Sequence, residues 1–338
     1  MKQIFLTSIL LLALIVSSCS DNEQEGVTSK HQITVLFSPN GLGDMGYNDN
    51  ILKGLQTIRK ERTDTEFLFH TPTTIEEGER IFSEWLAAET NGTPSLFVLS
   101  SSDYENMAFK YLEGKEKLED GKDILLFESS NPDELPVHHF QISMYGASYL
   151  AGITAAHSTE RKPLIVLGNS NDTPTWYAAY GFEDGYTSQT NAESVTVHAL
   201  AEDWSGYAKA SETYQMMSEW EDTYGFIYSV AGGSNAGIYR YLREYPDAVY
   251  TAGMDTDQSN LCSQIVGSMV KHIDMLIEDY ITQWIDTGTM PEENIYGLES
   301  GYIDWILAPA YYKDTFQELV NKERDTAIQK EKEYDKNI

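Results

Sequence analysis

The side chains in this chain most able to do chemistry gather in six short polar segments. These are SPNGLGDMGYND from Ser38, SSSDYEN from Ser100, GNSNDTPTWYAAYGF from Gly168, AEDWSGY from Ala201, AGGSNAG from Ala231 and GMDTDQS from Gly253. Gly, Asn, Asp, Tyr and Trp dominate them. That mixture supplies hydrogen bonds and flat stacking surfaces, which suits a neutral, ring-bearing, hydroxylated ligand. Catalytic and metal patterns are missing. No Gly-Lys-Ser/Thr follows a glycine loop, and neither HExxH nor GxSxG occurs. In AGGSNAG, Ser234 stands where a GxGxxG motif needs its second glycine, which leaves a tight strand-to-helix turn or a ligand-lining loop. The run Asp255-Thr-Asp257-Gln-Ser259 begins like a calcium loop. It has Asn260 where that loop needs glycine and Val266 where it needs glutamate. His138 and His139 are adjacent and point apart on a strand, so no metal centre is expected.

The segments follow apolar runs that read as strands. Ile33–Ser38, Phe67–His70, Leu96–Leu99 and Ile124–Phe127 form one series. Leu164–Leu167, Val195–Ala199, Phe226–Val230 and Val249–Ala252 form a second. None alternates strictly, as expected of strands covered on both faces. Helical spacing separates them over 48–62, 75–89 and 206–220, and the same spacing predicts one long helix over Ile265–Ile285, with Cys262 at its start. A charged amphipathic helix is expected from Tyr311 onward. Repeated strand–helix units imply an α/β fold with parallel sheets and helices on both faces, and two series imply two lobes. Ligands of such sheets lie beyond the carboxyl ends of the strands, which is where the polar segments fall.

The chain has 338 residues, of which 41% are hydrophobic and 12% aromatic, enough for sizeable cores. With 23 Lys+Arg against 53 Asp+Glu its formal charge is −30, which argues against nucleic acid and against docking on anionic lipid through a basic patch. Lys2 precedes an apolar run from Ile4 to Val16, shorter than the roughly 20 residues of a membrane span and laid out like a secretory signal. Val16-Ser17-Ser18-Cys19 resembles a bacterial lipobox. Residues 1–18 are accordingly expected to be a lipoprotein signal peptide, with Cys19 lipidated and 19–30 a polar tether. The anchor would place the protein in the cell envelope, on the periplasmic face or the cell surface. Lipidation of Cys19 leaves Cys262 alone, a buried structural thiol rather than a nucleophile.

Five segments in order resemble the basic membrane protein family, the purine-nucleoside-receptor-like lipoproteins that serve ABC importers as substrate-binding components. They are Gly41-Leu-Gly-Asp-Met-Gly-Tyr-Asn48, Tyr145-Gly-Ala-Ser-Tyr-Leu-Ala-Gly152, Gly181-Phe-Glu-Asp-Gly185, Ala231-Gly-Gly-Ser-Asn-Ala-Gly237, and Gly253-Met-Asp-Thr-Asp-Gln258 with Gly267-Ser-Met-Val-Lys-His272. The resemblance implies a type I periplasmic binding protein fold: two Rossmann-like lobes, a hinge, and a ligand cleft between them. Residues 31–143 plus about 255–297 would form the first lobe, and 144–254 plus about 298–338 the second. It also implies a nucleoside-like ligand, ABC permease and ATPase subunits as partners, no cofactor and no catalysis. By the same resemblance Asp255 would accept ribose hydroxyls, and Lys271 would contact the ribose or hold Asp255. Asp44 and Asn48 would bind polar atoms, Tyr47 would stack on the base, Asp103 would read the base edge, and Gly232 and Gly233 would bring backbone close. Each of the main three has a plainer reading: Tyr47 as a core aromatic, Asp255 as a helix cap or turn residue, Lys271 as a solvent-facing helical lysine. The family's second stacking aromatic falls at Ala178 here, leaving Trp176 and Trp204 as substitutes. That departure keeps open a flavin or another small solute, feeding a sensor or a surface uptake system.

Overall fold

The computed structural model describes residues 29–39, 41–131, 134–311 and 314–336. The signal, Cys19 and most of the tether expected from the sequence lie outside them. The first lobe begins with β1 (His31–Leu36), α1 (Tyr47–Glu61), β2 (Thr65–His70), α2 (Ile75–Ala87), β3 (Ser95–Leu99), α3 (Glu105–Leu112), β4 (Lys122–Phe127) and β5 (His138–Ile142). The chain then crosses to α4 (Tyr145–Ser158), β6 (Pro163–Asn169), α5 (Thr173–Gln189), β7 (Thr196–Ala201), α6 (Ala210–Thr223), β8 (Phe226–Val230), α7 (Asn235–Glu244), β9 (Tyr250–Asp255) and β10 (Ile265–Lys271). It returns through α8 (Ile273–Thr287) and β11 (Ile295–Tyr296), and crosses a third time into β12 (Ile303–Leu307) and α9 (Asp314–Asp335).

Two six-stranded sheets result, in the orders β11-β5-β4-β3-β1-β2 and β12-β10-β9-β8-β6-β7. Every strand pair is parallel except β12 against β10. Each residue of β3 and of β8 is buried, as helices on both faces require. The helices earn their places by amphipathicity: Ile51, Leu55 and Ile58 put one face of α1 into the first core. At α2, Thr74 caps the first turn by accepting from the Glu77 amide at 3.2 Å. The pairing of α4 with α5 depends on the absence of side chains. A Cβ on Gly185 would lie 2.0 Å from the Tyr149 carbonyl oxygen, and one on Gly181 2.2 Å from that of Tyr145. The Gly181–Gly185 segment is therefore a helix-packing device.

The long helix expected over Ile265–Ile285 is two elements. Residues 265–271 form β10, buried at every position, and only Ile273–Thr287 is helical. A strand covered on both faces has no alternation, so the helix-like spacing of Ile265, Met269 and Ile273 arises without a helix there. Gly267 fits the strand, since a Cβ on it would lie 2.6 Å from the Trp305 ring of β12. Cys262 sits buried before β10, not on a helix. Because β10 pairs with β9 and β12, residues 265–271 belong to the second sheet. The first lobe resumes at α8, which packs on α1 and whose Trp284 indole donates to Asp123 at 2.8 Å, rather than at 255.

The C-terminal helix braces the crossings. Glu331 of α9 is 2% exposed and accepts the Gly146 amide at 2.8 Å and the Leu298 amide at 2.7 Å. Asp335 accepts the Ser143 hydroxyl at 2.9 Å. These partners lie at the first and third crossings. Burial pushes the Glu331 carboxyl up to about 7, against the pull of the two amides.

Candidate functional site

The carboxyl ends of both sheets face a shared cavity of about 240 Å³. Of the residues expected there, Asp44, Tyr47, Asn48, Asp103, Trp204, Gly232, Gly233, Asp255 and Lys271 all line it. Trp176 does not. Its indole nitrogen donates to the Ser170 carbonyl at 2.9 Å, and its ring lies 5.7 Å from that of Tyr180 within α5.

The loop after β1 is organised by carboxylates. Asp44 accepts from the amides of Gly46 at 2.9 Å, Asn48 at 2.9 Å and Asp49 at 3.3 Å, and from the Asn48 side chain at 3.0 Å. Its acceptor positions are thus occupied by the start of α1, an anion at a helix N-terminus. Burial nonetheless raises its pKa. Beside Asp44, the loop presents Tyr47 and Asn48 to the cavity. Among the described residues the Asn48 side-chain oxygen is buried without a hydrogen-bond partner, and the buried Tyr47 hydroxyl lies beside the Glu128 carboxylate.

Lys271, at the end of β10, enters beneath Tyr47, with Nζ 5.0 Å from the ring centre. Its hydrogen bond is to Glu128 Oε1 at 3.0 Å, both side chains being 6% exposed. Glu128 Oε2 accepts the Ile142 amide at 3.0 Å. Burial would lower the lysine, but Glu128 and Asp255 outweigh it and hold the ammonium above its ordinary value. Glu128 follows β4 with φ +54°, and Asp255 ends β9 with φ +66°, both in the left-handed region that non-glycine residues rarely adopt. Such backbone strain persists where surrounding structure enforces it. The Asp255 carboxylate takes no hydrogen bond from a described residue. Burial pushes it up to about 6, with Lys271 pulling down and Asp44 and Glu128 pushing further up.

Farther along the cavity, Asp103 accepts the Ser101 hydroxyl at 2.9 Å. Asp172, after β6, accepts the Tyr207 hydroxyl at 2.5 Å and the Ser102 hydroxyl at 2.9 Å. The second of these bonds joins the two lobes. So do the Lys271–Glu128 pair and the bond from Gln258 to the Met45 carbonyl at 3.1 Å. Tyr207 packs over glycine backbone: a Cβ on Gly168 would lie 2.4 Å from its ring and one on Gly232 3.3 Å. Gly232, at φ +50°, makes room for that tyrosine as well as lining the cavity. Sequence reasoning missed Glu128, Asp172 and Tyr207. All three stand just after strands or in the polar segments, so position beyond a strand end was the available signal.

Five carboxylates and one ammonium line the cavity among the described residues. Asp44 and Glu128 are engaged within the protein, whereas Asp255, Asn48 and Lys271 have hydrogen-bonding capacity left for a ligand with several hydroxyls. Among the described residues no cluster of His, Cys, Asp and Glu could hold a metal ion, and no helix is long and apolar enough to cross a membrane.

Comparison with known proteins agrees with this architecture. The profile of the family described as ABC transporter substrate-binding protein PnrA-like matches residues 31–337. Basic membrane protein C of Borreliella burgdorferi (strain ATCC 35210 / DSM 4680 / CIP 102532 / B31) is 23% identical over 315 residues, 88% of this chain and 86% of that protein. Among solved structures, an ABC transporter solute-binding protein from Aeropyrum pernix K1 superposes with a TM-score of 0.66 at 18% identity, covering 90% of this chain and 86% of the other. The glucose-galactose binding protein GanP from Geobacillus stearothermophilus gives 0.58 at 15% identity, covering 84% and 99%. A transcriptional activator of the comK gene from Bacillus halodurans gives 0.64 at 17% identity, covering 88% and 98%. The fold is the type I periplasmic binding protein fold, which occurs in proteins of different function and does not by itself name the ligand.

Proposed function

The chain belongs to the PnrA-like family of ABC transporter substrate-binding proteins, and from that premise we propose that its cavity takes a purine-nucleoside-like solute for delivery to an ABC permease. The observation that carries this reading is Asp255: a buried carboxylate without a hydrogen bond from a described residue, beside a lysine whose charge Glu128 already balances. A carboxylate accepts two vicinal hydroxyls at once, and Lys271 retains protons to donate to their oxygens. Asn48 contributes a further buried acceptor. Tyr47 provides a flat face near this group, and Tyr207 and Trp204 provide others farther along the cavity for the ring. Glu128 is the lysine's partner, and Asp255 is left to the ligand.

Titration of the protein with inosine, adenosine and guanosine, followed by tryptophan fluorescence, tests the reading because Trp204 lines the cavity. A saturable change with a purine nucleoside is expected. Saturation by riboflavin alone, or by none of these, would sink it. We further propose that Cys19 carries the lipid anchor. Cys19→Ala should then leave the protein soluble or unprocessed, and membrane fractionation of a cleaved Cys19→Ala protein would refute the anchor.

A further inference from the structure

The three crossings between the lobes are laced to one another by backbone bonds. The Ser143 amide, just past β5, donates to the Tyr296 carbonyl of β11 at 3.0 Å, and the His272 amide donates to the Tyr302 carbonyl at 2.7 Å. The last turns of α9 lie against this lacing. The helix itself goes with the second lobe, since it packs along α4 and its Arg324 pairs with Asp304 of β12.

What the end of α9 grips comes from both sides of the crossings. Glu331 Oε1 accepts the amide of Gly146 in α4, at 2.8 Å. Glu331 Oε2 accepts the amide of Leu298, two residues past β11 of the first sheet, at 2.7 Å. Asp335 accepts the hydroxyl of Ser143 at 2.9 Å, and Lys332 pairs with Glu299. Both chain segments leave room for the carboxylate. A Cβ on Gly146 would lie 2.9 Å from Glu331 Oε1, and one on Gly297 2.2 Å from Oε2. Beside this socket the Tyr334 ring stacks on that of Tyr145, centre to centre 4.8 Å. None of residues 331–335 lines the ligand cavity.

Bending at the crossings carries Leu298 and Ser143 with the first lobe, while α9 and Gly146 move with the second. Hydrogen bonds weaken steeply beyond about 3.2 Å, and a buried carboxylate stripped of a donor is left with an unmet desolvation cost. The arrangement that satisfies Glu331 and Asp335 is the one in which Ser102 reaches Asp172 and Gln258 reaches the Met45 carbonyl across the cavity. We infer that the end of α9 is a hinge clamp: Glu331 and Asp335 hold the crossings in the closed arrangement of the lobes, so that a helix with no place in the ligand cavity sets how readily the cleft closes.

Small-angle scattering of the full chain without ligand tests this. Glu331→Gln keeps one acceptor oxygen and turns an amino group toward the second amide, so its radius of gyration should exceed the parent's. Saturating inosine should return it to the value of the liganded parent, with an affinity at least about three-fold weaker, because fewer molecules are closed before binding. A helix end that serves stability alone would lower the unfolding midpoint and leave radius and affinity at the parent's values, which overturns the inference. An enlargement that saturating inosine leaves in place would mark a detached helix and overturns it as well. Gly297→Ala disturbs the same socket from the crossing and should reproduce the enlarged radius. Failure of both variants to fold would make the socket a requirement of folding rather than a hinge setting, and overturns the inference too. Failure of inosine to bind the parent counts against the nucleoside reading only, and the radii of the unliganded chains then decide.

Discussion

Tyr47 packs over the Lys271 ammonium with its hydroxyl buried beside the Glu128 carboxylate, and on the proposed reading its ring is what a ligand uses. Tyr47→Phe should therefore leave nucleoside affinity within about two-fold, since no hydrogen bond to the ligand is lost. Tyr47→Ala should weaken it ten-fold or more, because base–aromatic stacking contributes roughly 1–3 kcal/mol. Calorimetry of both variants checks this, and equal affinity of Tyr47→Ala and the parent would remove the ring from the site. Residues of this kind were legible to the degree that motif and strand end coincided. Asp255 and Lys271 stood out because a resembling pattern holds both. Glu128 did not, because a lone glutamate after an apolar run carries no motif, and its meaning appears only when β4 and β10 bring it 3.0 Å from Lys271. Trp176 was misplaced for the converse reason. It stands in a polar segment, but its position on α5 turns the indole toward Ser170.

At the scale of elements, β10 shows what periodicity leaves unsaid. A strand buried on both faces and a buried helix have the same apolar composition, and only the partners β9 and β12 distinguish them. The central strands were legible, whereas β5, β11 and β12 were not, being short or defined by pairing across long separations. The brace formed by α9 was legible as a helix but not as a clamp on the crossings. Its Glu331 makes a testable contribution to stability. Burial holds the folded carboxyl at about 7 against an ordinary value of 4.5, so the native state binds more protons than the unfolded chain between those values. Stability from this group is fully present below about pH 4.5 and is lost as pH rises through 7, by an amount on the order of 3 kcal/mol. The unfolding midpoint of the parent should accordingly fall more steeply from pH 4.5 to 7 than that of Glu331→Gln. Parallel profiles would show that Glu331 is not protonated there in the native state.

For the whole molecule, three crossings join two lobes whose strand ends share one cavity. Hydrogen bonds from Ser102 to Asp172 and from Gln258 to Met45 span the gap alongside the Lys271–Glu128 pair. Ligand contacts made from both lobes favour the state in which the lobes are close. Small-angle scattering at saturating nucleoside should give a smaller radius of gyration than without ligand, and superimposable profiles would argue against a hinged receptor. The formal charge of −30 and the carboxylates of the cavity act in the same direction, favouring neutral or donor-rich solutes over anionic ones.

On the proposed function, Asp255 anchors a ribose. Calorimetric titration of inosine and 2′-deoxyinosine against the parent, Asp255→Asn and Asp255→Ala measures it directly. A hydroxyl bound to a buried carboxylate is worth roughly 1.5–3 kcal/mol, so the parent should prefer the ribonucleoside by about ten-fold or more. Asp255→Asn should keep part of that preference and Asp255→Ala none. Equal affinity of the parent for the two ligands, or a preference that survives in Asp255→Ala, would show that Asp255 is not the ribose anchor.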